Sequence, residues 1–136
     1  MGQISAKIER GHFETTISNG RQTITADEPA SLGGTDLGPT PYDYLLAGLG
    51  SCICITVRMY ADRKEWPLES IEVKLSQERV HHADCQDCES DKGFVHIIEK
   101  EVILEGDLDE KQRARLMEIV GKCPVHRTLQ NEIVIR

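Results

Sequence analysis

The sequence lacks three features that would assign it to a class of protein at once. Its first residues, MGQISAKIERG, contain no apolar core of a secretory signal peptide. No run of Lys and Arg is present, and the net charge is -7, which argues against nucleic-acid or anionic-membrane binding. The uncharged stretch from Tyr44 to Val57 is shorter than the roughly 20 apolar residues that span a bilayer. We therefore expect a soluble, cytoplasmic protein with no nucleic-acid or membrane partner.

The length and the cysteine content narrow the possibilities further. A chain of 136 residues predicts one domain, residues 1–136, with a single core. Without a secretory signal, five cysteines do not indicate a disulfide scaffold. In a reducing compartment, cysteines are metal ligands, redox-active thiols or ordinary core residues. The five are Cys52, Cys54, Cys85, Cys88 and Cys123.

Hydrophobic periodicity predicts an α+β fold in the order βββ-α-ββ-αα-β. The predicted strands cover residues 4–8, 13–17, 21–26, 70–80, 94–104 and 132–136. Asn19-Gly20 predicts a type I′ hairpin turn, with positive φ at both residues. A Gly- and Pro-rich loop follows the third strand, and its length is typical of a functional cover.

Three helices complete the prediction. Thr40 caps a long helix that runs to about Lys64, with Pro41 at its first position and Asp43 in capping-box spacing. Residues 106–122 form an amphipathic helix, and a short helical turn begins at Pro124. In the amphipathic helix, Asp107 and Glu110 have capping-box spacing, and the inner stripe is Ala114, Met117 and Val120.

The long helix is apolar nearly all round and rich in small residues. Gly48, Cys52 and Thr56 lie on one ridge at i, i+4 and i+8. Glycine costs a helix interior roughly 1 kcal/mol relative to alanine. Close approach by another element, such as the helix of a partner subunit, would offset this cost. Cys54 faces elsewhere, and the local sequence favours small apolar filler at both cysteines.

Cys123 lies in a different setting, directly before Pro124. A proline at the first helical position places the Cys123 thiol at a helix N-terminus, where the dipole and free N–H groups stabilise a thiolate. His126 and Arg127 lie within one turn and add positive potential. These features favour an activated thiol over a simple turn residue, and they allow a dithiol couple with Cys52.

Two segments together resemble the OsmC/Ohr family, the osmotically inducible and organic hydroperoxide resistance proteins. They are GPTPYDYLLAGLGSCICITVRMYADRKEWP and, further along, GKCPVHRTL. The chain is most similar to the OsmC-like predicted redox branch, which also carries a DCxxCE segment. The resemblance extends over nearly the whole chain. It implies an α+β fold in which antiparallel sheets wrap long central helices in an intertwined homodimer.

The resemblance also implies a function, that of a thiol peroxidase acting on small organic hydroperoxides, with no cofactor. By motif position, Cys52 matches the peroxidatic cysteine, which becomes a sulfenic acid, and Cys123 matches the resolving cysteine. A dithiol reductant then restores both thiols. The residues themselves had indicated Cys123 as the more activated thiol, so the two lines of reasoning disagree on the roles.

A buried peroxidatic thiol needs a nearby cation, because desolvation raises the pKa of a thiol. Arg58 points away from Cys52 around the helix. The resemblance implies an Arg near the first hairpin, where Arg21 is the nearest match, although an exposed hairpin residue is an equal interpretation. The family also places a Glu directly after the helix-opening Pro. Tyr42 occupies that place here, which puts efficient hydroperoxide reduction in question.

The polar segment around DCQDC leaves other functions open. His82, Cys85 and Cys88 have zinc-like spacing and are weak candidates for a metal site, although one CxxC without a second favours none. Carboxylates beside the sulfurs raise a thiol pKa and argue against a poised redox thiolate. The alternatives to a peroxidase are a non-catalytic dimer that binds zinc through this loop, or a protein that keeps the family pocket for a small ligand.

Overall fold

The structure is a computed structural model that describes residues 2–136 and divides into two compact units. The first unit ends at Leu45 and the second comprises Leu46–Arg136. The prediction of one domain is not decided by this division. The α+β class is confirmed, since one three-stranded and one two-stranded antiparallel sheet accompany three helices.

The first unit contains an antiparallel meander of three short strands, β1 (Ser5–Ile8), β2 (Thr15–Ser18) and β3 (Thr23–Ala26). The predicted type I′ turn is wrong in detail. The connection spans four residues, 19–22, and among them only Gly20 has positive φ. The reason is local, since the Asn19 side chain accepts hydrogen bonds from the N–H groups of Arg21 and Gln22 and so organises a wider turn.

A buried carboxylate organises the long loop after β3. Asp27 is 2 % exposed, and it accepts hydrogen bonds from the Thr35 hydroxyl (2.8 Å) and from the backbone N–H groups of Glu28 (2.7 Å) and Leu37 (3.2 Å). Burial alone would raise the Asp27 pKa, but these hydrogen bonds outweigh it, so the pKa is lowered. A Cβ at Gly34 would collide with the carbonyl oxygen of Glu28, so the loop requires glycine there.

The long helix α1 (Pro41–Arg63) has the predicted start and end. Thr40 and Asp43 form a reciprocal capping box, with hydrogen bonds of 3.0 and 3.1 Å. The prediction that α1 is buried on most sides is wrong for this chain. Its buried residues are Leu49, Gly50, Ile53, Val57 and Ala61, whereas Ala47, Gly48, Ser51, Ile55 and Met59 are exposed.

The two glycines of α1 differ in their surroundings. A Cβ on Gly50 would lie 2.7 Å from Cδ1 of Leu75, so this position is closely packed within the chain. A Cβ on Gly48 would meet nothing within 4 Å. The close approach predicted for the Gly48 ridge is therefore not made by the described part of this chain.

Among the described residues, α1 is the one helix long and apolar enough to cross a membrane by length and composition. It extends beyond the uncharged stretch on which the sequence prediction rested. Core helices of soluble proteins have the same properties, and α1 buries Ile53 and Val57 completely. These two residues place one face of α1 in the core of this chain.

Strands β4 (Leu68–His81) and β5 (Phe94–Gly106) form a long antiparallel hairpin. Both are longer than predicted. Along β4, Ile71, Val73 and Leu75 alternate with exposed residues and pack against the core, as the period-2 pattern predicts. The loop between these strands carries the CxxC segment.

Helices α2 (Glu110–Val120) and α3 (Pro124–Gln130) follow β5. The capping box of α2 is formed by Asp109 and Gln112 and not by Asp107 and Glu110, because the helix begins two residues later than that spacing assumed. Its buried residues are Leu116, Ile119 and Val120, so the predicted inner stripe is right only at Val120. Ala114 and Met117 are exposed in this chain.

The strand predicted at residues 132–136 is absent from the structure. These residues are irregular and exposed, with Ile135 91 % accessible. Apolar alternation produces a strand only where an edge is available for pairing, and no described strand pairs with this segment.

The core of the second unit lies among α1, α2, the start of β4 and the residue that precedes α3.

Candidate functional site

The fold brings together two cysteines that are 71 positions apart in the sequence, taking 52 from 123. Cys52 lies on α1, half-buried, and packs against the core cluster. Cys123 is the N-cap residue of α3 and is completely buried. The two side chains lie close enough for each thiol to affect the pKa of the other, and both residues are free thiols. The sequence allowed this meeting without predicting it.

The pKa of the Cys52 thiol is lowered from its usual value. Burial acts to raise it, but three hydrogen bonds outweigh burial: from the Cys123 thiol, the backbone N–H of Val125 and the Thr56 hydroxyl. The Thr56 oxygen lies 4.0 Å from the Cys52 sulfur, one helical turn along α1. This arrangement favours a thiolate at Cys52.

The pKa of the Cys123 thiol is raised. Burial is the main cause, and the hydrogen bond to Cys52 adds to it, while the N–H groups of His126 and Val125 act in the opposite direction. This direction disagrees with the sequence prediction that Cys123 is the more activated thiol, and the roles of the two cysteines stay a prediction. The helix N-terminus lies where it was predicted, but burial of Cys123 and its interaction with Cys52 outweigh the effect of the N–H groups on the pKa.

The local sequence of α3 explains how its N–H groups reach the sulfurs. Pro124 occupies the first helical position and has no N–H group. The first donors of α3 are thus those of Val125 and His126, and these are the groups that interact with the two thiols. The Cys-Pro-Val-His order therefore directs the free end of a short helix at the pair.

The cations considered from the sequence have different placements. Arg58 donates to the carbonyl oxygen of Leu68 (2.7 Å) and pairs with Asp62, as expected of a side chain that points away from Cys52. Arg21 is exposed in the hairpin turn of the first unit. Among the described residues, the groups that lower the pKa of Cys52 are neutral: a thiol, an amide and a hydroxyl. The role of Arg21 stays a prediction.

Asp43 does not supply the missing family carboxylate. Its side chain accepts the N–H of Thr40 at 3.0 Å and so belongs to the α1 cap. Tyr42, at the family position, is half exposed. The Cys54 sulfur lies 3.9 Å from the carbonyl oxygen of Ile71 on β4, and its role as a filler residue stays a prediction.

A pocket of about 350 Å³ opens in the second unit. Its lining combines apolar and polar side chains, among them Leu49, Asp87, Cys88, Ile98, His126 and Leu129. Leu49 precedes Cys52 by three residues on α1, and His126 follows Cys123 by three residues on α3. The pocket wall therefore includes a sequence neighbour of each thiol.

The CxxC loop contains a disulfide between Cys85 and Cys88. Both residues are half-buried, and the ligand atoms of Cys85, Asp87 and Cys88 lie within 4.8 Å of one another. His82, the third weak metal candidate, is outside this group. A disulfide leaves neither sulfur as a thiolate, so this form does not provide the predicted zinc ligands.

The sequence did not identify two residues that lower the pKa of Cys52, Val125 and Thr56. Val125 acts through its backbone, which no side-chain pattern reveals. Thr56 had been placed on the ridge of Cys52, and its i+4 spacing was the available signal.

Comparison with known proteins identifies the family. Residues 34–136 match the family model described as OsmC-like protein. No curated protein sequence matches the chain. Among solved structures, the OsmC-like protein from Mycoplasma pneumoniae superimposes with a TM-score of 0.76 at 22% identity, covering 96% of this chain and 88% of that one.

Two further structures have the same fold. The organic hydroperoxide resistance protein OsmC, predicted redox protein, from Legionella pneumophila has a TM-score of 0.67 and 17% identity, covering 96% of this chain and 90% of that one. The organic hydroperoxide resistance protein OhrB of Bacillus subtilis has a TM-score of 0.59 and 21% identity, covering 97% and 92%. The match of the family model over most of the chain establishes the assignment: this protein belongs to the OsmC/Ohr family of OsmC-like proteins.

Proposed function

We propose that the protein is a thiol-dependent peroxidase that reduces small organic hydroperoxides through Cys52 and Cys123. The observation that carries this proposal is the meeting of two free thiols, Cys52 and Cys123, from distant parts of the sequence. The thiol pKa is lowered at Cys52 and raised at Cys123. Membership of a family that includes organic hydroperoxide resistance proteins supports the same redox role. The roles implied by the resemblance, with Cys52 peroxidatic and Cys123 resolving, agree with these pKa directions.

The chemistry follows from the two thiols. The Cys52 thiolate attacks one oxygen of the hydroperoxide, the O–O bond breaks, and the products are a Cys52 sulfenic acid and an alcohol. The Cys123 thiol then attacks the Cys52 sulfur, which forms the disulfide and releases water. An external dithiol returns two electrons and two protons and is itself oxidised to a disulfide. The apolar side chains of Leu49, Ile98 and Leu129 in the pocket favour organic over inorganic peroxides.

Consumption of cumene hydroperoxide by single-cysteine variants tests the proposal. Cys52→Ser should abolish consumption, because no thiolate remains to attack the peroxide. Cys123→Ser should retain the first step and accumulate a sulfenic acid that a dimedone probe traps. Cys54→Ser is the matched control on the same helix and should behave as the parent. Parental consumption by Cys52→Ser would overturn the proposal.

Arg21 is included in the proposal as the cation that supports the Cys52 thiolate. It is a candidate because it is exposed in a turn, where its guanidinium can reach a neighbouring surface. Arg21→Ala should slow peroxide consumption, and Arg21→Lys, which keeps the charge, should restore part of the rate. Equal rates for Arg21→Ala and the parent would assign Arg21 to the hairpin alone.

A second copy of this chain is proposed as the main partner, in a homodimer. Ile55 and Met59 on α1 are 59% and 61% exposed, and the apolar tail Ile133–Ile135 is also uncovered. An exposed helix face of this size is uncommon in a soluble monomer. The resemblance implies that sheets from both chains wrap the central helices, which would cover both surfaces. We place the protein in the cytoplasm, where dithiol reductants are available.

A further inference from the structure

The second pair of cysteines has no role in the proposed function. Cys85 and Cys88 form a disulfide in the loop between β4 and β5, and both are half-buried. The loop is held at its base by a hydrogen bond from the N–H of His82 to the carbonyl oxygen of Gly93 (3.0 Å). Cys88, but not Cys85, lines the pocket of the second unit.

The catalytic pair offers an external reductant only one of its two sulfurs. Cys123 has no exposed surface, and a dithiol carried by another protein can attack only a sulfur that it can reach. Such a dithiol can therefore attack a Cys52–Cys123 disulfide only at Cys52, which is half-buried. A thiol within the chain is free of this limit, and Cys85 and Cys88 are themselves half-buried and within reach of an external dithiol.

The pocket brings Cys88 together with sequence neighbours of the catalytic cysteines. Cys88 lies in its wall with Leu49 and His126, which are three residues from Cys52 and Cys123 respectively. A volume of about 350 Å³ leaves space for the Cys88 side chain to move within the pocket. The loop therefore places a cysteine in the same pocket as a neighbour of each catalytic residue.

We propose that Cys85 and Cys88 act as an internal relay, which reduces the Cys52–Cys123 disulfide through the pocket and is then reduced by an external dithiol. The proposal rests on the proposed function, since it requires that peroxide first oxidises Cys52 and Cys123.

The exchange balances as two thiol–disulfide steps. The Cys88 thiolate attacks the Cys123 sulfur, which forms a Cys88–Cys123 bond and releases the Cys52 thiolate. The Cys85 thiolate then attacks the Cys88 sulfur, forms the Cys85–Cys88 bond and releases Cys123. Two electrons and two protons pass from the loop pair to the catalytic pair. Cys52 suits the position of leaving group because its pKa is lowered.

Electrostatics favour transfer in this direction. The Asp87 carboxylate lies within 4.8 Å of both loop sulfurs, and Asp84 and Glu89 flank them in sequence. Negative charge disfavours a thiolate, whereas hydrogen bonds stabilise the thiolate at Cys52. A pair whose reduced form is stabilised as a thiolate is the better oxidant, so electrons should flow from the loop pair to the catalytic pair.

A single-turnover experiment on the full chain tests the relay. Fully reduced protein, freed of reductant, receives one equivalent of cumene hydroperoxide, and alkylation at successive times is followed by disulfide mapping. We expect the Cys52–Cys123 disulfide to appear first and to be replaced by Cys85–Cys88 at a rate independent of protein concentration. With excess peroxide, the Cys85→Ser/Cys88→Ser variant should consume one equivalent per chain where the parent consumes two, and it should retain the Cys52–Cys123 disulfide.

Single variants of the loop identify the attacking sulfur. Cys85→Ser should accumulate the mixed disulfide Cys88–Cys123, because no resolving thiol remains. Cys88→Ser, the matched control, should accumulate no mixed disulfide between Cys85 and Cys123.

The outcomes separate this proposal from the proposed function. A persistent Cys52–Cys123 disulfide in the parent, with Cys85 and Cys88 left as thiols, would overturn the relay and leave the peroxidase standing. If the Cys85–Cys88 disulfide forms as fast in Cys52→Ser as in the parent, the relay is also overturned, because peroxide then oxidises the loop cysteines directly. If the Cys52–Cys123 disulfide forms neither in the parent nor in Cys85→Ser/Cys88→Ser, the proposed peroxidase function is overturned.

Discussion

At the Cys52 sulfur, burial and hydrogen bonding act on the thiol pKa in opposite directions, and hydrogen bonding prevails. The largest of the lowering contributions comes from the Cys123 thiol. Cys123→Ala should therefore raise the pKa of Cys52 and slow its alkylation by iodoacetamide at neutral pH. The pH dependence of the alkylation rate measures this change.

The conservative variant supplies the control for that experiment. Cys123→Ser keeps a hydroxyl that can donate to Cys52, so its alkylation profile should lie between those of the parent and Cys123→Ala. A profile for Cys123→Ala identical to that of the parent would contradict the role assigned to the Cys123 donor.

Asp27 is the second residue at which hydrogen bonds outweigh burial. Because its folded-state pKa is lowered, its contribution to stability is complete above the unfolded-state pKa of about 3.9 and is lost as the pH falls through the lower folded-state value. Asp27→Asn should destabilise the loop at neutral pH, and it should remove part of the acid dependence of unfolding. Urea denaturation at neutral and acidic pH tests both statements, with Asp36→Asn, an exposed residue of the same loop, as the control.

At the scale of elements, the N-terminus of α2 gives a direct test of a corrected prediction. Asp109 accepts the N–H of Gln112 at 2.8 Å, and Gln112 accepts the N–H of Asp109 at 3.0 Å. Asp109→Ala should lower the free energy of unfolding by about 1 kcal/mol, the usual cost of losing such a cap. Asp107→Ala, by contrast, should change it by less than about 0.5 kcal/mol. Thermal denaturation of the two variants compares them, and equal losses would contradict the assignment.

Elements with long, regular patterns were predictable from the sequence. The apolar run and the capping box of α1 fixed both of its ends, and the alternation along β4 identified its core face. The wrong predictions concern positions where two local interpretations of the sequence fit the pattern equally well. Asp107 and Asp109 are both acidic residues shortly before a helix, so the sequence alone fits a cap at either one. In the structure, Leu108 between them is buried and α2 starts directly after Asp109, which makes Asp109 the cap. The tail at residues 132–136 has a strand pattern but no described strand beside it.

The sequence identified the two cysteines of the candidate site, but it did not predict the pKa of either thiol. Motif order nominated Cys52 and Cys123, and the Cys-Pro pair placed the latter at a helix start. Which thiol is activated depends on complete burial at Cys123 and on the backbone donor of Val125. Neither quantity can be read from residue types, because both arise from long-range packing.

At the scale of the whole molecule, the open face of α1 predicts the assembly. Ile55→Glu should convert the proposed dimer to a monomer, because it introduces a charge into an apolar contact. Light scattering coupled to size exclusion measures the mass. Leu32→Glu is the control, as Leu32 is 65% exposed but belongs to the short 3₁₀ helix Ala30–Leu32 and not to α1. A monomeric parent protein would contradict the dimer.

Gly48 refines the same prediction. No described atom would contact a Cβ at this position, so in an isolated chain Gly48→Ala should stabilise α1 by roughly 1 kcal/mol. Against a closely packed helix of a second copy, the added methyl group should instead weaken association. The concentration dependence of the unfolding midpoint distinguishes the two results.

The position of Cys54 has a practical consequence. Cys52 and Cys54 share a helix and a degree of burial, yet one contacts thiolate-stabilising donors and the other the carbonyl oxygen of Ile71. No Lys or Arg occurs between Arg21 and Arg58, so trypsin leaves both cysteines on the peptide 22–58. Cys54 can thus serve as a built-in calibrant for competitive labelling: the ratio of tags on a single fragment reports how much the surroundings of Cys52 enhance its nucleophilicity, independent of recovery or dose.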